Sequence, residues 1–203
     1  MRLSSLTAKN NREPLWHIQL AILTAIGLQV ALKDSLTFGS KYSIGLLEVV
    51  LLLVLQLPQL RDSTKRVFAI GLLSIISVAN AISLYLVSRA LFGEAIVAGK
   101  ELLVSSVAIY LTNLIVFGIW YWELDNNVPD VPDFAFPQSN DPKSNWSPTF
   151  FDYLYVSITN ATAFSPTDTL PLTHRAKFLM TLQSMISLIT VVLVTARAVN
   201  ILS

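Results

Sequence analysis

Five long apolar windows constrain this chain more than any other feature of its sequence. They are Leu15–Leu32, Tyr42–Leu60, Val67–Ser88, Leu102–Trp122 and Ala176–Leu202. About 20 apolar residues in a row are needed to cross roughly 30 Å of hydrocarbon as a helix. The windows match or approach that length, so the expectation is an all-α polytopic membrane protein with about five transmembrane helices. Composition agrees: 13% of the 203 residues are charged and mean hydropathy is +0.59, whereas soluble domains carry roughly 25% charged residues. The first window is the least apolar, because it holds His17, Gln19 and Gln29. Those glutamines, and the lack of a small-residue cleavage site after them, argue against a signal peptide.

Several function classes have little to rest on. The formal net charge is +1, with no basic stripe and interleaved aromatics, so no nucleic-acid partner is expected. The chain has no Cys, which removes thiol chemistry and Cys-based metal sites. His17 and His174 lie in different segments and form no ligand spacing, so no metal is expected. No phosphate-binding, hydrolase or zinc-protease motif is present. The expectation is that the chain is not an enzyme and uses no cofactor. The expected partners are the lipid bilayer and further copies of the chain.

Three regions can be marked along the sequence. Residues 1–14 form a polar arm, residues 15–101 carry three apolar windows, and residues 102–203 contain the rest. Short connectors at Lys33–Lys41, Arg61–Arg66 and Arg89–Glu101 suit antiparallel helix neighbours. Glu123–Pro148 differs: it holds five of the nine prolines and one basic residue, Lys143. Pro removes a backbone donor and restricts the residue before it, which predicts an irregular surface loop. Next comes "TFFDYLYVSITNATAF", residues 149–164, apolar but reaching only about 24 Å if wholly helical. That length suits either a re-entrant half-helix or an amphipathic helix on the surface.

Charged and polar residues within apolar windows are the other candidates. Glu48 in "IGLLEVVLLLVLQLP" has apolar neighbours on both sides, and an ionisable residue there marks a partner or a pathway. Arg89 and Arg197 lie toward the same face, so either is a candidate partner. In the last window Gln183, Ser187, Thr190, Val194 and Arg197 recur at spacings of four and three, which is one helix face. Such a stripe serves helix packing and backbone capping or lines water. Trp16, Trp120, Tyr121, Trp122 and Trp146 read as an interfacial aromatic belt.

Residues 149–202 resemble the pore module of the tetrameric potassium and cation channel superfamily. The stretch "DYLYVSITNATAFSPTDTLPLTHRAKF" follows the family pattern of pore helix, "S-x-T-T-x-T-T-V-G-Y-G-D-x-x-P", and a basic residue opening the inner helix. Ser157, Thr159, Thr162, Asp168 and Pro171 fall on matching positions without a gap. The resemblance implies an outer helix at 102–122, an external loop at 123–148, a re-entrant helix and loop at 149–172 and an inner helix at 175–202. It further implies a homotetramer, monovalent cations as the permeant class, and a plasma or bacterial inner membrane. The chain is also similar to bacterial integral-membrane proteins of unassigned function with a degenerate loop and "ARAVNIL"-like inner helices.

The departures from the channel pattern are specific. Where the family has Thr-Val-Gly-Tyr-Gly, this chain has Ala163, Phe164, Ser165, Pro166 and Thr167. All seven glycines of the protein lie at or before Gly118. A ladder of filter carbonyls needs the dihedral freedom of glycine, and Pro166 fixes its own φ. Potassium selectivity of that type is therefore not expected. Within the filter-like loop from Thr162 to Asp168, Ser165, Thr167 and Asp168 repeated around an axis would give rings of hydroxyls and carboxylates, and Phe164 an apolar constriction. Asp168 suits a capping role equally well.

The functional expectation is a cation-conducting pore with a different filter. The alternatives are a non-conducting scaffold or accessory subunit that keeps the pore fold, and a small transporter that uses Glu48. Orientation is contested within the sequence. With five spans, nine Lys and Arg gather on the face of the long loop and five on the other. The count puts that loop in the cytoplasm, whereas the resemblance puts it outside.

Overall fold

Ser and Thr hydroxyls in the apolar helices are bonded back to carbonyls of their own turns. Ser77 donates to the Leu73 carbonyl at 2.7 Å, Ser106 to Leu102 at 2.8 Å and Thr190 to Ile186 at 2.8 Å. This satisfies polar groups where no water competes. The computed structural model describes residues 16–32, 34–37, 41–55, 62–92, 99–125, 132–140, 146–162 and 168–202. It is almost wholly helical. In chain order the helices are α1 (Trp16–Val30), α2 (Lys41–Leu55), α3 (Asp62–Phe92), α4 (Gly99–Asp125), α5 (Phe150–Thr162) and α6 (His174–Leu202). Two-residue strands, β1 (Phe134–Ala135) and β2 (Leu170–Pro171), pair antiparallel with Phe134 opposite Pro171.

Three of these helices, α3, α4 and α6, are long and apolar enough to cross a membrane. The described parts of α1 and α2 are shorter apolar helices of 15 residues each. The expected connector Arg61–Arg66 is mostly not a connector, since α3 begins at Asp62. Its Ser, Thr, Lys and Arg residues extend the helix beyond the apolar window because nothing in them breaks it. Arg66 then faces Glu123 of α4 at 3.4 Å, which brings the start of α3 and the end of α4 together. Arg89, likewise placed in a connector by sequence, lies in the last turn of α3.

Helix α4 is the centre of the packing. It lies against α1, α3, α5 and α6, while α2 packs on α1 and α3. Of its apolar window 61% is buried, against 22% for α6, so α4 is a core helix and α6 a peripheral one. Ile18, Ile22, Ala25 and Ile26 of α1 join Leu52, Leu72, Leu73, Ile76, Val116, Ile119 and Phe150 in one apolar cluster.

The contact between α4 and α5 depends on a single glycine. A Cβ at Gly118 would stand 3.1 Å from the Leu154 Cα and 3.2 Å from Leu154 Cδ1. The first of these is backbone, which cannot swing aside. Gly118→Ala is therefore expected to push α5 off α4 and to destabilise the fold by roughly 1–3 kcal/mol, the usual range for overpacking. Thermal unfolding in detergent or lipid checks this; an unchanged midpoint would mean that the two helices are not in close contact.

Candidate functional site

Helix α5 sits in the cleft between α4 and α6, held at both ends and in the middle by polar contacts. Its start carries one half of a capping box. The Thr149 hydroxyl and backbone N–H both donate to Asp152 Oδ2, at 2.8 and 2.7 Å, so the carboxylate reaches back to the first residue of the turn. The "TFFD" string is the sequence signal for this arrangement.

In the middle, Ser157 joins three helices. Its hydroxyl donates to the Leu114 carbonyl of α4 at 2.7 Å and accepts from Gln183 Nε2 of α6 at 2.6 Å. Gln183 Nε2 also donates to the Ser157 carbonyl at 3.1 Å. Gln183 Oε1 accepts from Tyr121 of α4 at 2.5 Å and from Asn160 of α5 at 2.9 Å. Asn160 Nδ2 donates further to the Met180 carbonyl at 2.9 Å, and its Oδ1 accepts from Ser184 at 3.1 Å. One turn along α6, Ser187 accepts from Asn113 Nδ2 of α4 at 2.9 Å. Ser157, Gln183 and Ser187 are each fully buried and Asn160 and Ser184 partly so, and their donors and acceptors are bonded to one another and to nearby carbonyls.

A second clamp ties the long loop to the start of α6. Asp133, fully buried, accepts from Arg175 Nε at 2.8 Å and Nη2 at 2.6 Å, and from the Thr173 hydroxyl. The Asp133 carbonyl accepts from Leu172 N at 2.8 Å, continuing the β1–β2 pairing. Asp125, at the end of α4, accepts from the Asp133 N–H at 2.5 Å and from the Tyr153 hydroxyl of α5 at 2.5 Å. Burial, and then the Asp125 carboxylate, push the Tyr153 phenol above its ordinary range, so it stays a donor. Phe134 and Phe136 are buried with Tyr121, Tyr153 and Ala176. Asp133, Phe134 and Phe136 thus form a buried lid within the expected surface loop, while Pro132 and Pro137 to Ser139 are exposed.

The sequence candidates are distributed as follows. Thr159 and Thr162 donate to the Tyr155 and Ile158 carbonyls of their own helix, at 2.8 and 2.9 Å. Ala163, Phe164, Ser165, Pro166 and Thr167 lie outside the described residues. Asp168 is exposed and lines a pocket of about 210 Å³ together with Phe136, Gln138, Asp152, Tyr155 and Thr169. Pro171 is in β2.

On α6, Gln183, Ser187 and Thr190 do form one face, but that face is buried inside this chain. Val194 is partly buried, and nothing is described of the Arg197 side chain. The exposed side of α6 is apolar, with Phe178, Leu182, Met185, Leu188, Ile189, Val192 and Val199.

Glu48 is fully buried, and neither carboxylate oxygen has a hydrogen-bond partner. The expected pairing with Arg89 is not made; Arg89 instead stands 6.0 Å from the Tyr85 ring centroid. Tyr121 does not belong to an interfacial belt. It is a fully buried member of the α4–α5–α6 junction. Among the described residues no group of three or more His, Asp or Glu is arranged to hold a metal.

No protein-family model matches the chain, and comparison with curated proteins and with solved structures finds no match either. The functional reading therefore rests on the site itself.

The two clamps have separable energetics. Arg175→Met would strand a buried carboxylate on Thr173 alone, while Asp133→Asn would leave a neutral amide there. Arg175 is 44% exposed, so the cost should fall below that of breaking a fully buried pair, at about 2–3 kcal/mol, with Asp133→Asn milder. The double variant should cost less than the sum of the two. Equal and additive effects in thermal unfolding would contradict the clamp. Gln183→Leu, which takes the acceptor from the Tyr121 hydroxyl and the Nε2 donor from Ser157 while Asn160 Nδ2 keeps the Met180 carbonyl, should cost about 1–3 kcal/mol by the same measurement. No loss on Gln183→Leu would mean that the junction does not hold α5.

Proposed function

We propose that this chain is a channel-like integral membrane protein in which α4, α5 and α6 act as outer helix, pore-type half-helix and inner helix. The observation that carries the reading is α5 itself. It has 13 residues, about 20 Å of helix, too short to cross a bilayer. Yet it is packed between two helices that are long enough, and β2 and Thr173 precede the start of α6. A half-helix at membrane depth is tolerated only where protein covers its ends or water reaches them. The β1–β2 pairing and the Asp133–Arg175 contact bring the chain back to the end where α5 began, as a re-entrant hairpin requires.

In this reading α1 and α2 complete five spans, and the long loop is external. Copies of the chain bring Ala163 to Asp168 to a common axis. Asp152 and Asp168 share one pocket at that mouth, and rings of carboxylates favour cations. The permeant class is a monovalent cation, without the carbonyl ladder of potassium channels. Glu48 and Arg89 take no part.

A second reading, a non-conducting scaffold that keeps the pore-type fold, is favoured by the placement of the α6 stripe. Gln183, Ser187 and Thr190 are turned into the chain, and the outward face of α6 is apolar, so α6 itself contributes no wet lining. Ion flux into liposomes holding the purified protein separates the two. The pore reading expects monovalent-cation flux that Asp168→Asn reduces severalfold or shifts in selectivity. Absence of flux for every monovalent cation, from a protein that is folded by thermal unfolding, would overturn it in favour of the scaffold.

A further inference from the structure

The carboxyl of Glu48 has no place in the pore-type module, and its surroundings are unusual for an acid. It lies on α2, which packs against α1 and α3. One turn before it, a Cβ at Gly45 would stand 3.1 Å from Val30 Cγ2 and 3.9 Å from Ile26 Cγ2. One turn after it, Leu52 is buried with Ile18, Ile22, Ala25, Ile26, Leu72, Leu73 and Ile76. Glu48 is thus enclosed on the apolar seam of three helices, 0% exposed, with both oxygens lacking a hydrogen-bond partner.

The other titratable and charged residues of these three helices stand toward helix ends. They are His17 in the first turn of α1, Lys41 and Tyr42 opening α2, Asp62, Lys65 and Arg66 at the start of α3, and Tyr85 and Arg89 near its end. Neither oxygen of Glu48 has a hydrogen-bond partner among the described residues. The buried amide of α1, Gln29, is committed elsewhere: its Nε2 donates to the Ile76 carbonyl of α3 at 3.1 Å.

An ionised carboxylate enclosed by apolar side chains, with neither a cation nor a donor, is strongly disfavoured, and the group meets that cost by taking up a proton. We propose that Glu48 is a proton-binding site, a neutral carboxylic acid at pH 7 held inside the α1–α2–α3 packing. Its proton leaves when that packing opens to water, so protonation and the closure of the three-helix seam are linked. This site is independent of the pore-type module. It stands or falls separately from conduction.

The full-length protein in lipid vesicles provides the test. Exposed glutamates titrate near 4.3 and are ionised at pH 7. The infrared carbonyl stretch of a protonated acid is therefore expected at pH 7 in the wild type and absent in Glu48→Gln. Dicyclohexylcarbodiimide, an apolar reagent, is expected to modify Glu48, while a water-soluble carbodiimide is not. In that reaction a carboxyl oxygen bonds to the central carbon and the acid proton passes to one nitrogen. Acyl transfer from oxygen to nitrogen then gives an N-acylurea that keeps every atom of both reactants.

Mapping the adduct by peptide mass spectrometry uses the wild type alone, so it reads the site even if Glu48→Gln does not fold. As pH is raised until the band disappears, amide exchange in α1 and α2 should rise in excess of any rise in Glu48→Gln. No protonated-acid band at pH 7, or labelling by the water-soluble reagent alone, would overturn the proposal. So would loss of the band with no excess exchange.

Discussion

A short helix wedged between two long ones is stable only if its polar groups are matched by its neighbours, and that requirement organises this half of the molecule. Helix α5 is too short to cross a bilayer by itself, and its buried polar groups are matched by neighbouring helices. Ser157 and Asn160 are met by Gln183, Ser184 and the Met180 carbonyl of α6. Tyr121 and the Leu114 carbonyl of α4 complete the set. Networks of this kind are strong when complete and costly when broken. The close approach at Gly118 lets the hydrogen-bonding atoms reach each other. Without that glycine, the network would have to span a wider gap.

The same requirement explains the lid over the site. The chain leaves α4 at Asp125, and that carboxylate takes the Asp133 N–H and the Tyr153 hydroxyl. Asp133 in turn takes Arg175 and Thr173, where α6 begins. Two acidic residues therefore fix the ends of three helices and a loop around a buried aromatic cluster. Asp152, whose Oδ2 caps the start of α5, and Asp168 are the acids that line the pocket at this end.

Much of the helical architecture is legible in the apolar windows, because a run of that length has few other solutions. Capping is legible too, in "TFFD" and in Thr173, whose hydroxyl accepts from Ala176 N at 3.3 Å. The side on which a residue is used is harder to read. The spacing of Gln183, Ser187 and Thr190 defines one face, but periodicity carries no information about what covers that face. Here it is α4 and α5. Tyr121 shows the same limit, since a Tyr between two Trp resembles an interface anchor until Gln183 of a distant helix is placed beside it. Asp133 and Arg175 are 42 residues apart, with nothing local to pair them. Glu48 stood out in sequence for its apolar neighbours; that it lacks a partner depends on three helices meeting.

The central claim is that α5 enters and leaves on one side, so that the segments flanking it share a membrane face while the end of α6 lies on the other. The protein has no Cys, so single cysteines at Gln138, Leu172 and Asn200 can each be probed in sealed, uniformly oriented vesicles with an impermeant maleimide. The account predicts that positions 138 and 172 label from the same side and position 200 only from the opposite one. Labelling of 138 and 172 from opposite sides would make α5 a crossing segment and contradict the pore-type arrangement.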